Sequence, residues 1–151
     1  MVTPPLQLNY HFYPEVKVRA NTELPLDEYQ IDNTDVDFNL NYNASIFENK
    51  KDPSQFKIEL QIDIAPKEEK NWFYEVFLKC IGLFVISEEI PEEKRKSLVY
   101  INGASMLYSA AREYIFLLTM RGPYPPIYIP SVSFKPEDKD YYSGLPGAKP
   151  D

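Results

Sequence analysis

The chain carries one histidine and one cysteine among its 151 residues, His11 and Cys80. Covalent catalysis needs a nucleophile with a base beside it, and no histidine follows Cys80 to serve as one. A structural zinc site needs four nitrogen or sulfur ligands, which this pair cannot supply. His11 falls among the polar members of an alternating segment and reads as a solvated side chain. Cys80 falls on the apolar side of another and reads as a packing thiol. "SEEIPEE", residues 87–93, offers carboxylates to a hard cation. It lacks the spaced ligands of a calcium loop and reads as a solvated charge run. No glycine-rich phosphate loop follows any strand-like segment. The inventory therefore argues against an enzyme and assigns no catalytic residue, cofactor or metal.

The chain is rich instead in side chains that adhere without reacting. In "AAREYIFLLTMRGPYPPIYIP", residues 110–130, a nearly all-round apolar helix runs into a loop of proline, tyrosine and isoleucine. Such a loop provides wide aromatic contact, and prolines lower the ordering cost of each encounter. It suits extended polypeptide or an apolar small ligand; the plainer alternative is that these side chains only cap the core.

The frame around these residues is one domain. With 44% hydrophobic residues the chain can build a single core. A net charge of −7 and a pI near 4.8 disfavour nucleic acid and anionic membranes as partners. No apolar run reaches the ~18 residues of a membrane span. The first residues do not resemble a secretory leader, and a single cysteine suits a reducing compartment, so the expected location is the cytoplasm.

Four segments show strand periodicity. In the first, Leu6, Leu8, Tyr10, Phe12, Val16, Val18 and Ala20 alternate with polar residues, and Pro14 suggests an edge strand or a bulge. The second alternates Val36, Phe38, Leu40, Tyr42, Ala44 and Ile46. The third alternates Phe56, Ile58, Leu60, Ile62 and Ile64. The fourth, residues 73–86, begins with one polar face and ends apolar on both, so both faces of its second half need cover. Between the first two strands a long crossover carries Leu24, Leu26, Tyr29 and Ile31. From Pro91 the pattern is helical, with a kink or break expected at Asn102-Gly103. A second helical stretch runs from Ala104 to Gly122-Pro123. One sheet face covers only about a third of a helix, so the excess apolar surface implies another copy of the chain. Residues 1–134 form the expected domain, and 135–151 a short, flexible tail.

Several short motifs then fall in order: Ala110-Ala111-Arg112-Glu113, Arg121-Gly122, Tyr124-Pro125-Pro126 and Pro130-Ser131-Val132-Ser133-Phe134, preceded by "CIGLFVI" at residues 80–86. In these the chain resembles the SecB-type protein-export chaperones. The resemblance implies an α+β fold, a four-stranded antiparallel sheet packed on the long C-terminal helix. It implies a homotetramer, a dimer of dimers with helices sandwiched between sheets, in which Leu107, Tyr114, Leu117 and Leu118 would serve the interface. It implies an ATP-independent holdase for unfolded polypeptides awaiting export. The client groove would lie between Leu24, Leu26, Tyr29 and Ile31 of the crossover and Tyr124, Ile127, Tyr128 and Ile129 of the loop.

Two departures bear on partners. The family continues with a C-terminal helix flanking the groove, for which "KPEDKDYYSGLPGAKPD" holds at best a turn or two. The family's secretion motor docks on acids of the outer sheet face. Here Glu59, Asp63 and Glu75 are available, but Phe77 and Lys79 interrupt them. Some relatives serve a dedicated antitoxin client, which needs the groove but not the motor patch.

Overall fold

A computed structural model describes residues 1–23, 38–69 and 72–136. The elements are β1 (Leu6–Ala20), β2 (Phe38–Glu48), β3 (Gln55–Pro66), β4 (Tyr74–Ile86) and α1 (Glu92–Met120). The strands form one sheet in the order β1-β4-β3-β2, every neighbouring pair antiparallel. The helix lies across one face, so the α+β fold that the resemblance implies is the observed one.

The inner face follows from alternation. Ile58, Leu60, Ile62 and Ile64 of β3 and Val76, Leu78, Cys80, Phe84 and Ile86 of β4 are buried, as are Ala44 and Ile46 of β2. Val99, Leu107, Ala111 and Ile115 of α1 close onto them at helical spacing. Each valine, leucine and isoleucine among them contributes roughly 1.5–3 kcal/mol on burial.

Two glycines set how closely helix and sheet approach. A Cβ on Gly82 would fall 2.7 Å from a Leu107 methyl, and one on Gly103 would fall 2.7 Å from Ile58 Cδ1. Gly103 therefore marks a close contact and not the break expected from Asn102-Gly103. The helix is continuous, and Asn102 turns its amide back onto the Leu98 carbonyl at 2.9 Å. The first turn has no side-chain cap, but Glu92 and Glu93 sit at its positive end. Buried Arg95 donates to the carbonyls of Ile90 (2.7 Å), Glu88 (3.0 Å) and Pro53 (3.4 Å). One guanidinium thus joins the helix start to the β2–β3 hairpin.

β1 departs from its even-number alternation. Register shifts lie between Leu8 and Tyr10 and between Phe12 and Glu15. Leu8 is paired with inward Phe84, but Tyr10 is paired with Leu83 and Phe12 with Ile81, both on the outer face. The second shift restores Val16 opposite Leu78 on the inner face. Each extra residue at a bulge reverses the faces that follow. Tyr10 and Phe12 are thus exposed on the outer face, 5.7 Å apart. His11, expected on the polar side, instead lies opposite Gly82 on the helix side, where it is exposed and meets Tyr13 edge-on at 6.0 Å. The outer half of β4 is only partly covered, and Leu83 is exposed.

Cys80 is the packing thiol expected of it. It is buried in the core, and burial pushes its pKa up to about 11, the Tyr13 hydroxyl offsetting this only in part. A raised thiol pKa stabilises the fold below the unfolded value of 9.0, and that contribution is lost as pH rises through about 11. Urea stability should therefore decline over this interval more steeply in the parent than in Cys80→Ala. Identical slopes in the two titrations would show that the thiol does not carry the effect.

Candidate functional site

The loop after α1 is fixed by a small polar node. The helix ends at Arg121, and Gly122 donates its N–H to the Thr119 carbonyl at 3.0 Å. Here glycine is needed for space: a Cβ would stand 2.1 Å from Tyr74 Oη and 2.7 Å from its ring. Tyr74 Oη accepts the Tyr124 N–H at 3.1 Å and presents its proton to the carbonyls of Thr119 and Tyr124, each at 3.1 Å. Burial raises its pKa, which keeps that proton in place. Thr119 Oγ1 donates to the Ile115 carbonyl at 2.8 Å and accepts the Ile127 N–H at 2.9 Å. Two main-chain donors of the loop are thereby held by side chains of the sheet and the helix.

Farther on, Tyr108 donates to the Pro130 carbonyl at 2.6 Å, and Arg112 donates to Ser131 Oγ at 2.9 Å. Phe134 is buried with its ring 5.7 Å from Tyr42, 6.1 Å from Tyr108 and 6.2 Å from Tyr100. The loop is a stretched ribbon pinned along the helix and ending against β2.

The expected groove residues divide sharply. Tyr124, Ile127 and Ile129 are buried in the core, so their side chains close the protomer and do not line an open surface. Tyr124 lies flat on Phe73, centroids 4.5 Å apart, and meets Tyr74 edge-on. Tyr128 points the other way: it is 72% exposed and rests on Phe116 at 4.6 Å. Leu24, Leu26, Tyr29 and Ile31 lie outside the described residues, as does the tail beyond residue 136. Tyr42 joins the loop aromatics, and sequence reasoning did not assign it a role. On an inward-pointing position of the edge strand β2, it stays partly exposed although its ring lies 5.7 Å from those of Tyr108 of α1 and Phe134.

The expected interface residues divide as well. Leu107 is fully buried against Gly82 and belongs to the protomer's own core, which corrects its assignment to an interface between copies. Tyr114 lies tilted against Tyr13, centroids 4.5 Å apart, and Leu118 is half-buried. Leu117 is exposed, together with Met106 and Met120, which follow the same helical stripe and had not been singled out. On the outer face Glu75 pairs with Arg19 at 2.7 Å and Glu59 with Lys57 at 3.3 Å. Asp63 is half-buried opposite Phe77.

Residues 15–136 match the family model described as preprotein translocase subunit SecB. The chain belongs to the SecB family. That span takes in every element except Leu6–Pro14 of β1. The protein-export protein SecB of Bartonella quintana is 28% identical over 99 residues, which cover 66% of this chain and 60% of that protein. Its counterpart in Acidithiobacillus ferrooxidans is 26% identical over 111 residues, 74% of this chain and 72% of that protein. In fold, the chain is similar to a SecB-like chaperone of Mycobacterium tuberculosis solved in complex with a ChAD peptide from the HigA1 antitoxin. The TM-score is 0.62 at 16% identity, covering 85% of this chain and 88% of that one. The family's sheet-on-helix architecture is thus present from β1 to the loop after α1.

Among the described residues no helix is long and apolar enough to cross a membrane, and no cluster of acidic, histidine or cysteine side chains could hold a metal ion.

Proposed function

We propose that the protein is an ATP-independent chaperone that holds unfolded polypeptides in the cytoplasm, working as a dimer of dimers. The observation that carries this reading is Tyr128, a large aromatic side chain held open to water on a loop fixed at both ends. An ordered, exposed aromatic offers contact area at little further ordering cost. Extended clients would lie over Tyr128 and Phe116 and reach the crossover residues Leu24, Leu26, Tyr29 and Ile31. Membership of the SecB family supports the same reading.

Tyr128→Ala tests it. An aromatic buried against a client is worth on the order of 1–3 kcal/mol, so suppression of aggregation for several unrelated unfolded proteins should weaken about tenfold. The fold should be unaffected, because the side chain is exposed. A variant that holds clients as well as the parent would place the groove elsewhere. Tyr124→Ala is a poor probe of the same question, since it empties part of the core.

A second reading, a chaperone dedicated to one client such as an antitoxin, is favoured by the outer face. Glu59 and Glu75 are already paired within the chain, which leaves them less charge to offer a basic docking segment of a secretion motor.

A further inference from the structure

The second half of β4 is apolar on both faces, and only one of them is covered. Phe84 and Ile86 lie in the core; on the other side Ile81 and Val85 are half-buried and Leu83 is exposed. Beside these, β1 turns Tyr10 and Phe12 onto the same outer face, 61% and 37% exposed. One row crosses the whole sheet: Tyr10 is paired with Leu83, Leu83 with Lys57, and Lys57 with Phe47. A cavity of about 410 Å³ opens at this row, walled by Phe47, Leu83 and Val85. Asn9, which the first register shift leaves out of the ladder, lines it too. Ligand pockets run from about 300 to 1,000 Å³, so this one suits a single large side chain. The charged groups on its wall, Lys57 and Glu48, are both matched within the chain. Lys57 is met by Glu59 at 3.3 Å and by the Phe47 ring at 4.7 Å, and Glu48 is met by Lys96 at 3.7 Å.

We infer that this strip of the outer face is a second seat for clients, taking a short extended segment of unfolded polypeptide with uncharged apolar side chains at alternate positions. One side chain enters the cavity beside Leu83, and the next but one lies on Phe12 and Ile81. The geometry matches an extended chain: the row of Phe12 and Ile81 is two strand residues from that of Leu83, about 7 Å, which is also the spacing of alternate side chains in an extended segment. With the wall charges matched, nothing at the cavity calls for a charged partner. The inference rests on the holdase reading proposed above and adds a site to it. Tyr128 rests on the helix, so the two seats lie on opposite faces of the sheet. A client long enough to reach both is held at two points, and its affinity exceeds that of either seat alone.

Leu83→Asp is the test, measured beside the parent, Tyr10→Ser and Tyr128→Ala. The replaced side chains are exposed, so the circular dichroism of sheet and helix should be preserved in each. Two probes are used. One is a short uncharged peptide with apolar residues at alternate positions, one of them benzoylphenylalanine for photo-cross-linking. The other is reduced, alkylated lactalbumin, a long unfolded chain. In the parent the peptide should cross-link both to the loop after α1 and to the outer face around Leu83, Tyr10 and Phe12. In Leu83→Asp the outer cross-links should fall about tenfold or more, the factor carried by one buried aliphatic side chain, while those on the loop stay. Tyr10→Ser should lower only the outer ones, and Tyr128→Ala only those on the loop. The long chain should bind about tenfold more weakly to Leu83→Asp and to Tyr128→Ala alike. Cross-links on the loop alone, or outer cross-links unchanged in both outer variants, would overturn the second seat and leave the holdase reading standing. Dissociation of Leu83→Asp in sedimentation would overturn it as well, since another copy would then cover the strip. A parent that holds neither probe would overturn the holdase reading, and the second seat with it.

Discussion

Glutamate in place of Leu117 is expected to dissociate the proposed dimer of dimers while leaving each protomer folded. Leu117 is 46% exposed, and Met106 and Met120, at 40% and 50%, lie on the same stripe of α1. In the proposed assembly these three large apolar side chains, open to water on one helix face, would meet another copy. Within the protomer the substitution touches little, so its effect on the fold should stay within about 0.5 kcal/mol. Between copies it would bury a carboxylate without a partner, one turn from the carboxylate of Glu113. An uncompensated buried charge costs about 3–5 kcal/mol, enough to shift a micromolar equilibrium by roughly 150-fold or more. Sedimentation velocity should show the parent as a tetramer at micromolar concentration and Leu117→Glu as dimer or monomer. A parent that sediments as a monomer, or a variant that sediments with the parent, would end the idea. Leu107→Ala is the contrasting control. Its side chain fills the protomer core, so the loss of about 2–5 kcal/mol should appear as lowered thermal stability at every concentration.

The second large effect is expected at Gly122, where alanine adds a single methyl. That methyl would lie 2.1 Å from Tyr74 Oη, well inside van der Waals contact. The Tyr74 ring is buried and cannot swing into solvent, so the loop must retreat. Retreat breaks the hydrogen bonds that Tyr74 makes to the loop and helix end. Overpacking of this kind costs roughly 1–3 kcal/mol before the broken bonds are counted. Denaturant midpoints should report the loss. The mechanism has its own signature: Tyr74→Phe removes the atom struck first, so Gly122→Ala with Tyr74→Phe should be less destabilised than the sum of the single changes. Strict additivity in that cycle would show that the methyl does not meet the phenol.

How much of this was legible in the sequence depended on whether one periodicity persisted. β2 and β3 carry no bulge, so alternate residues point as their spacing says, from Ala44 and Ile46 to Ile58 and Ile64. β1 changes phase twice, and a count by even numbers placed Tyr10 and Phe12 on the wrong side. Pro14 hinted at one irregularity; nothing in the sequence marked the other, near Asn9. Asn102-Gly103 carries a weak helix propensity, but Gly103 is held in place by Ile58 and Phe84 of the sheet, a contact that only the fold brings about. In the loop the residue types announced an aromatic ribbon after α1. They did not say which side chains turn inward, because proline-rich backbone has no period to count. Tyr124 and Tyr128 are equivalent by type and opposite in placement. The node of Tyr74, Thr119 and Tyr124 joins residues too distant in sequence for any local pattern to link them.

The two register shifts in β1 have a further consequence for a protein whose proposed work is to hold aggregating chains. β1 is 15 residues long and lies at the edge of the sheet. An unbroken edge of that length is a template on which like strands stack without limit. Here the ladder runs regularly only from Leu6 to Leu8, from Tyr10 to Phe12 and from Glu15 to Ala20, and Pro14 withholds an N–H within the second interruption. A strand laid along this edge finds matching donors and acceptors for a few residues and then loses step. The same irregularity that turned Tyr10 and Phe12 outward makes this edge of the sheet a poor template for fibril growth.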